Sequence, residues 1–183
     1  MYGGAAIRVT MRLRPIPIFV LALGGAACAR AARNSSPAGA PPSPAEGEIV
    51  GTVNRFFAAM RSRDTATLHA LIAPDMGIVA SVASVAPAKE AAAAPTIRRQ
   101  TGASFLTAIA TSRVELRERM WAPEVRVDGA IAILWAPYDF HRGAEFSHCG
   151  HDTFQLAHEG GRWVVTALAY TVQSTGCPPS PVP

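Results

Sequence analysis

The sequence is poor in lysine and has few cysteines. Lys89 is the only lysine among 183 residues, so nearly all positive charge comes from arginine. The chain has 17 basic and 13 acidic residues, but Arg8, Arg12 and Arg14 precede Cys28, which leaves 14 basic residues against 13 acidic ones after that position. The remainder is nearly neutral. It contains no basic stripe with interleaved aromatic residues, which argues against nucleic acid as a partner.

The N-terminal apolar segment is too short for a stable transmembrane helix. It has the three parts of an export signal: a cationic stretch that begins at Met11, an apolar stretch over residues 16–23, and small residues that end at Cys28. The small-small-Cys ending resembles a bacterial lipoprotein signal, in which the cysteine is lipidated. We therefore expect residues 1–28 to direct export, with Met11 as an alternative start, and Cys28 to anchor the protein on the periplasmic side of a bacterial membrane. A signal cleaved after Ala27 and a buried N-terminal helix are the alternatives.

The segment after Cys28 differs in composition from the rest of the chain. Residues 30–44 consist mainly of Pro, Gly, Ser, Ala and Arg without periodicity, and such a stretch cannot bury a core. We expect a disordered tether over residues 29–45. Residues 46–178 have the length of one domain with a single core, and residues 179–183 are expected to be a disordered tail.

Apolar residues recur at helical spacing at the start of this domain. Ile49, Val53, Phe56 and Met60 belong to one apolar stripe, which predicts an amphipathic helix over residues 48–63. Asp64 is a suitable N-cap for a second, shorter helix that ends before Pro74. The elements expected next are a strand over residues 76–85, a poorly determined connection over 86–99 and a short helix over 103–112.

The last third of the chain consists of long strand-like runs joined by very short turns. Gly143-Ala144 and Gly160-Gly161 have the length of hairpin turns. Because the runs carry apolar residues on both faces, we expect a sheet that curves around an interior and has its other face covered too. The runs are residues 130–142, 145–159 and 162–173, preceded by strand-like residues 113–121 and 124–127 and a turn at Asp128-Gly129.

Helices followed by a curved antiparallel sheet form an α+β arrangement, and here the sequence resembles the nuclear transport factor 2-like (NTF2-like, SnoaL-like) domain family. The resemblance covers residues 49–172 and rests on the Phe-Phe helix, the Arg63-Asp64 step and the Trp-Val-Val of the last strand. It implies a cone-shaped, cystatin-like half-barrel packed against two to three N-terminal helices. The mouth of such a cone accepts small apolar molecules, and its outer sheet face often forms a homodimer. The fold hosts isomerases, cyclases, dehydratases and binding modules, so it does not determine the function.

The strand over residues 145–159 supplies the first candidate chemistry. His148 and Asp152 share one strand face with Phe154, which we expect to face the helices, so both should point into the cavity. Four positions along a strand correspond to about 13 Å, so the pair could hold opposite ends of a molecule without bonding to each other. Tyr138 and Tyr170 can offer hydroxyl groups. The predicted ligand-binding set is Phe56, Phe57, Trp121, Tyr138, His148, Asp152 and Tyr170.

Three functions fit these residues. The leading one is an exported, lipid-anchored module that binds a small apolar or amphipathic ligand without catalysis. The second is a pocket enzyme of the isomerase, cyclase or hydrolase type, with His148 as the base and Asp152 or Tyr138 orienting the substrate. The isomerases of the family use a helix tyrosine, which the first helix lacks. The third is an accessory protein that acts through its outer sheet face, near Trp135, Cys149 and His151.

The cysteines and histidines suggest a disulfide rather than a metal site. His148 and His151 fall on opposite faces of one strand, so they are poor ligands for one metal ion even with His141 or Asp152 nearby, and we expect no metal and no other cofactor.

Assigning Cys28 to the leader leaves Cys149 and Cys177 as an even pair in an exported protein. Strand pairing places Cys149 opposite Val172, so Cys177 reaches it if the chain reverses at Gly176. This predicts a structural disulfide, and a reactive thiol is the alternative.

Overall fold

The structure is a computed structural model that describes residues 42–83 and 94–181. The predicted export signal, nearly all of the predicted tether and most of the connection over residues 86–99 lie outside these ranges. None of the described helices is both long and apolar enough to cross a membrane. The elements, in chain order, are α1 (Pro44–Ser62), α2 (Thr65–Leu71), β1 (Ile72–Val82), β2 (Thr96–Thr101), α3 (Gly102–Thr111), β3 (Leu116–Met120), β4 (Glu124–Asp128), β5 (Ile131–Arg142), β6 (Glu145–Glu159) and β7 (Arg162–Val172).

Helix α1 begins four residues earlier than the apolar periodicity predicts. Ser43 caps it: the Ser43 hydroxyl accepts a hydrogen bond from the Glu46 backbone N–H, and the Glu46 carboxylate accepts one from the Ser43 N–H. This capping box, with Pro44 in the first turn, fixes the start of the helix independently of its apolar stripe. At the other end Arg63 adopts a left-handed conformation with φ of 59°, and Asp64 then caps α2 as predicted.

The seven strands of the described residues form one mixed sheet in the order β2-β1-β7-β6-β5-β3, with β4 also paired to β5. The two predicted hairpins, β5–β6 and β6–β7, are confirmed. Two features differ from the prediction of an antiparallel sheet with a loop before α3. Strand β1 runs parallel to β7, and Thr96–Thr101 forms the edge strand β2. All six residues of β2 are exposed, so they lack the alternating pattern that reveals a strand in sequence.

Strands β3 and β4 share one edge of β5 because that edge is interrupted at Pro137. Proline has no N–H to offer a neighbouring strand. The Trp121 N–H still donates to the Pro137 carbonyl, and Ala122 next to it takes a positive φ of 43°. The chain therefore turns between β3 and β4 and then resumes pairing with β5.

The helices pack on one face of the curved sheet and form an aromatic core with it. Phe56 and Phe57 on α1 contact the ring of Phe154 on β6 edge-on, with centroids 5.6 and 5.7 Å away. Phe105 on α3 stacks on Phe56 from the other side, at 5.5 Å. The α+β fold with a curved, unclosed sheet is therefore confirmed, and the aromatic cluster fixes the distance between helices and sheet.

The predicted disulfide is present between Cys149 and Cys177, with a Cα–Cα distance of 5.9 Å. Cys149 pairs with Gln173 through two backbone hydrogen bonds, one residue beyond the predicted Val172. Gly176, with φ of 71°, makes the reversal that brings Cys177 back. The bridge thus fixes the chain beyond β7 against the middle of β6.

Candidate functional site

A cavity of about 660 Å³ lies between the helices and the concave face of the sheet. Its wall is largely apolar and aromatic, with Phe56 and Phe105 from the helices and Tyr138, Phe140 and Tyr170 from the sheet. A neighbouring hollow of about 440 Å³ shares Ile78, His148 and Tyr170 with it and extends along β2. The cone expected from the sequence is therefore hollow, and its size is that of a small-molecule site.

Glu118 is an acidic residue of this cavity wall that the sequence analysis did not identify. It lies on β3 between Leu116 and Met120, which are inward-facing positions of the same strand. The alternation of an apolar residue, an acid and another apolar residue was the available signal, since it places a carboxyl group on a buried strand face. The sequence alone does not show which face of β3 points inward, because a strand of only five residues is too short for its alternation to be decisive.

The Glu118 carboxyl group pairs with that of Asp152 on β6. Asp152 is 1% exposed and lies behind the cavity wall, beside Glu118. One of its oxygens, Oδ2, has no ordinary hydrogen-bond donor among the described residues. Two carboxyl groups this close share a proton, because two buried negative charges side by side are strongly unfavourable.

The environment of the pair raises the pKa of both acids. Burial raises the pKa of Glu118 to about 7, and the charge of Asp139 adds to this, while the hydrogen bond from Asp152 acts in the opposite direction. Burial, with the charge of Glu118 and the hydrogen bond to it, raises the pKa of Asp152 well above its usual value. The hydrogen bond within the pair lowers the pKa of Glu118 and raises that of Asp152, so Asp152 is the donor and Glu118 the acceptor.

Two tyrosines border the acid pair. The Tyr138 hydroxyl donates a hydrogen bond to the Thr171 carbonyl at 2.7 Å, so it is already engaged by the protein. Burial raises the pKa of both Tyr138 and Tyr170, and the charges of Glu118 and Asp152 raise them further. Both rings remain neutral and present apolar faces to the cavity.

His148 also lines the cavity, but it is not bonded to Asp152. Its ring lies 4.9 Å from Phe140 and 5.8 Å from Tyr138 between centroids, and its Nδ1 is 3.0 Å from the Ser147 hydroxyl. Burial lowers the pKa of His148, and the charge of Arg142 lowers it further, so the imidazole is neutral at pH 7. A neutral histidine among aromatic rings is a polar contact point, and no carboxylate of the described residues hydrogen-bonds to it to orient it as a base.

The seven predicted ligand-binding residues fall into two groups. Phe56, Tyr138, His148 and Tyr170 line the cavity. The other three do not: Phe57 is buried in the aromatic core, Trp121 lies beyond the end of β3, and Asp152 reaches the site through Glu118. Adjacent helix residues point in different directions, which is why the Phe-Phe pair does not enter the cavity as a unit.

Strand β6 contains an irregularity that changes which residues share a face. Strict alternation along the strand would place Phe146 on the same face as His148, but Phe140 pairs with His148 while His141 pairs with Phe146, so Ser147 is an extra residue. Phe146 is 46% exposed on the outer side, against His141. A bulge of this kind reverses the alternation of side chains beyond it.

The outer face carries the remaining candidate residues. Trp135 and His151 stack on each other at 5.0 Å in exposed positions, while Cys149 is buried by its disulfide. Nearby, Arg119 donates two hydrogen bonds to Asp139, at 2.9 and 2.5 Å. Burial acts to raise the pKa of Asp139, but the bonds and charge of Arg119 outweigh it and lower the pKa.

His141 completes this outer cluster, with its Nε2 3.2 Å from the Arg119 guanidinium. Across residues 42–83 and 94–181, no group of three or more potential ligands is arranged to hold a metal ion.

Solved structures provide the comparison for this arrangement of sheet, helices and cavity. An NTF2-like protein from Cytophaga hutchinsonii has a TM-score of 0.54 to this chain, at 14% identity over 68% of this chain and 95% of its own. This domain has the NTF2-like fold. An NTF2-like protein of unknown function from Pseudomonas putida KT2440 has a TM-score of 0.50, at 22% identity over 69% of this chain and 85% of its own.

Another similar solved structure is the β subunit assigned to an aromatic-ring-hydroxylating dioxygenase from Novosphingobium aromaticivorans DSM 12444. Its TM-score is 0.56, at 11% identity over 71% of this chain and 90% of its own. No protein-family model and no curated protein matches the chain. The resemblance seen in the sequence is confirmed as a fold, and identities this low carry no function across to this NTF2-like domain.

The acid pair predicts an unusual pH dependence of stability. Because the pKa of Glu118 is raised on folding from 4.5 to about 7, the folded state binds this proton more tightly, and stability falls as the pH rises through that range. Glu118→Gln cannot ionise and should lose less stability over the same range. The expected difference is on the order of 3 kcal/mol, since each tenfold change in proton affinity is worth about 1.4 kcal/mol. Urea denaturation of both proteins at the two ends of the range measures it.

The matched control is Glu124→Gln, which removes an exposed carboxylate on β4. It should follow the wild type at every pH. Effects of His148, whose pKa is lowered, are common to all three proteins and cancel in the comparison. Parallel stability curves for wild type and Glu118→Gln would contradict the assignment of the raised pKa.

Proposed function

We propose that this domain binds a small apolar or amphipathic molecule in its cone, without chemical change. The observation that carries this proposal is the 660 Å³ cavity with an aromatic wall. Small-molecule sites typically have volumes of about 300–1,000 Å³ and combine apolar walls with a few polar groups that orient the ligand. Here those groups are Glu118 and His148, with the Tyr138 hydroxyl already bonded to the backbone.

A second candidate function is acid–base catalysis in the same cavity. The favouring observation is the carboxyl pair, because an acid with a pKa of about 7 can both take up and release a proton near neutral pH. The catalytic group would then be Glu118, in place of His148 as the sequence suggested. Chemical change of a bound molecule during incubation would favour this candidate over binding alone.

The proposal includes export and a lipid anchor at Cys28. The Cys149–Cys177 disulfide supports it, because disulfides persist in oxidising compartments such as the bacterial periplasm. A homodimer through the outer sheet face is part of the same proposal. Ile131, Ile133 and Trp135 are 65%, 41% and 43% exposed there, and such apolar patches often mark interfaces.

Blocking the cavity should abolish ligand binding. Ala108 on α3 lines the cavity, so the indole of Ala108→Trp should occupy the space in which a ligand would lie. We expect the affinity for diphenylhexatriene, a neutral probe that fluoresces in apolar surroundings, to fall by about tenfold or more. Fluorescence titration of the purified protein measures this.

The control is Ala110→Trp, which adds the same side chain at another exposed position of α3 that does not line the cavity. It should bind the probe like the wild type. If Ala108→Trp also binds normally, or if the wild type does not bind the probe at all, the proposed site is wrong.

A further inference from the structure

The carboxyl pair lacks a basic partner. Buried acids are normally paired with an arginine, lysine or histidine, because an isolated buried charge is costly. Among the described residues, neither Glu118 nor Asp152 forms a salt bridge with a basic side chain. The nearest comparable acid, Asp139, has its arginine, Arg119. The contrast between these acids indicates that the positive charge for Glu118 comes from outside the protein.

The wall around Glu118 suits a cation. Tyr138, Phe140, His148 and Tyr170 line the same cavity, and the π faces of such rings attract cations. A cationic nitrogen near such faces gains about 0.5–2 kcal/mol in addition to its attraction to a carboxylate. Asp152 completes the site, because as the protonated partner it donates to Glu118 and holds the Glu118 carboxylate in place.

We propose that the ligand of the cone carries a protonated amine that binds Glu118 at the carboxyl pair, with its apolar body along the aromatic wall. This inference rests on the proposed binding function and specifies its ligand class. An ammonium group supplies hydrogen-bond donors and a positive charge to Glu118, which forms no salt bridge with another described residue. The carboxylate of Glu118 is the recognition group, and Asp152 is a positioning residue.

The arginines at the cavity edge raise the alternative that the ligand is an anion. Arg98, Arg99, Arg113 and Arg142 line the two hollows, and none forms a salt bridge with another described residue. All four are exposed, so salt and water screen their charges. Glu118 acts over a short distance in a less polar space, where the same charge has a larger effect. Glu118, which is half-buried and backed by the buried Asp152, therefore dominates selectivity, and preference for an anion would contradict this.

The test compares three probes with the same apolar chain and different head groups: decylamine, decanol and decanoate. Each competes with diphenylhexatriene for the wild-type protein at about pH 8, where Glu118 is ionised and the amine is protonated. We expect decylamine to bind at least about tenfold more tightly than decanol. In Glu118→Gln this preference should disappear while decanol still binds, and in the control Glu124→Gln it should persist.

A second measurement on the wild type covers the case in which Glu118→Gln does not fold. The amine preference should be lost at about pH 5, where Glu118 is protonated and decylamine stays charged. The other titratable groups that face this region are Asp152 and His148 on β6, Tyr138 on β5, Tyr170 on β7, and the edge arginines, and Asp139 acts on Glu118 from the outer face of the sheet. Of these, His148 gains positive charge in the same range and would act in the same direction, so His148→Gln is measured alongside and should keep the pH effect.

The outcomes separate the two proposals. Tight amine binding that depends on Glu118 and on pH supports both. If decanol binds but decylamine binds no better, or if decanoate binds best, the amine inference is overturned while the binding function stands. If none of the three probes nor diphenylhexatriene binds, the binding function fails and the inference fails with it.

Discussion

Gly150→Ala is expected to destabilise the domain by about 3 kcal/mol or more, with a fall in Tm of roughly 10 °C. A methyl group at this position would lie 2.0 Å from the Thr171 carbonyl oxygen and 2.7 Å from the Thr171 hydroxyl. The backbone cannot move aside freely, because Thr171 also accepts hydrogen bonds from the Tyr138 hydroxyl and the His151 N–H. The substitution must therefore separate β6 from β7 beside the cavity. Thermal and urea denaturation measure the effect.

Gly47→Ala is the matched control. Gly47 lies in α1 with no atom within 4 Å of the added methyl group. Alanine favours helix over glycine by roughly 0.5–1 kcal/mol, so this variant should be slightly more stable than the wild type. Equal stability of Gly150→Ala and the wild type would mean that β6 and β7 do not approach each other as described.

Removal of the disulfide is expected to cause the second large loss of stability. Replacing both Cys149 and Cys177 with serine opens a loop with a sequence separation of 28 residues. The chain-entropy relation gives a loss of about 3.6 kcal/mol for a loop of this length. The bridge holds the chain at Gln173, directly after the Thr171 contacts, so its loss should also loosen the wall formed by Tyr138 and Tyr170.

Reduction provides the control for this variant. Dithiothreitol should destabilise the wild type by a similar amount and leave the double serine variant unchanged. Urea denaturation with and without reductant gives both values. If the reductant has no effect on the wild type, the predicted contribution of the bridge is wrong.

The parts of the fold that depend on local chemistry could be predicted from the sequence. Gly143-Ala144 and Gly160-Gly161 predict the two hairpins because they are short turns between long strand-like runs. Asp64 predicts the start of α2 because its carboxylate accepts a hydrogen bond from the Thr67 N–H as an N-cap. The disulfide follows from strand pairing and from the freedom of Gly176 to reverse the chain.

The parts that depend on how distant strands meet could not be predicted in the same way. The pairing of Glu118 with Asp152 joins β3 to β6, which are not neighbours in the sheet, through the curvature of the cone. The extra residue at Ser147 reverses a strand face, and neither composition nor spacing reveals it. The sequence therefore led to His148 as the central polar group, whereas the structure brings two carboxyl groups together beside it.

The location of a bound probe tests the central claim of a ligand-binding hollow most directly. Anomalous diffraction from crystals of the protein soaked with bromodecanol would locate its bromine atom. If the cone binds ligands, a bromine peak is expected inside the cavity walled by Phe56, Tyr138 and Tyr170. A peak confined to the outer sheet face near Ile133, or a cavity filled by the protein's own side chains, would contradict the claim.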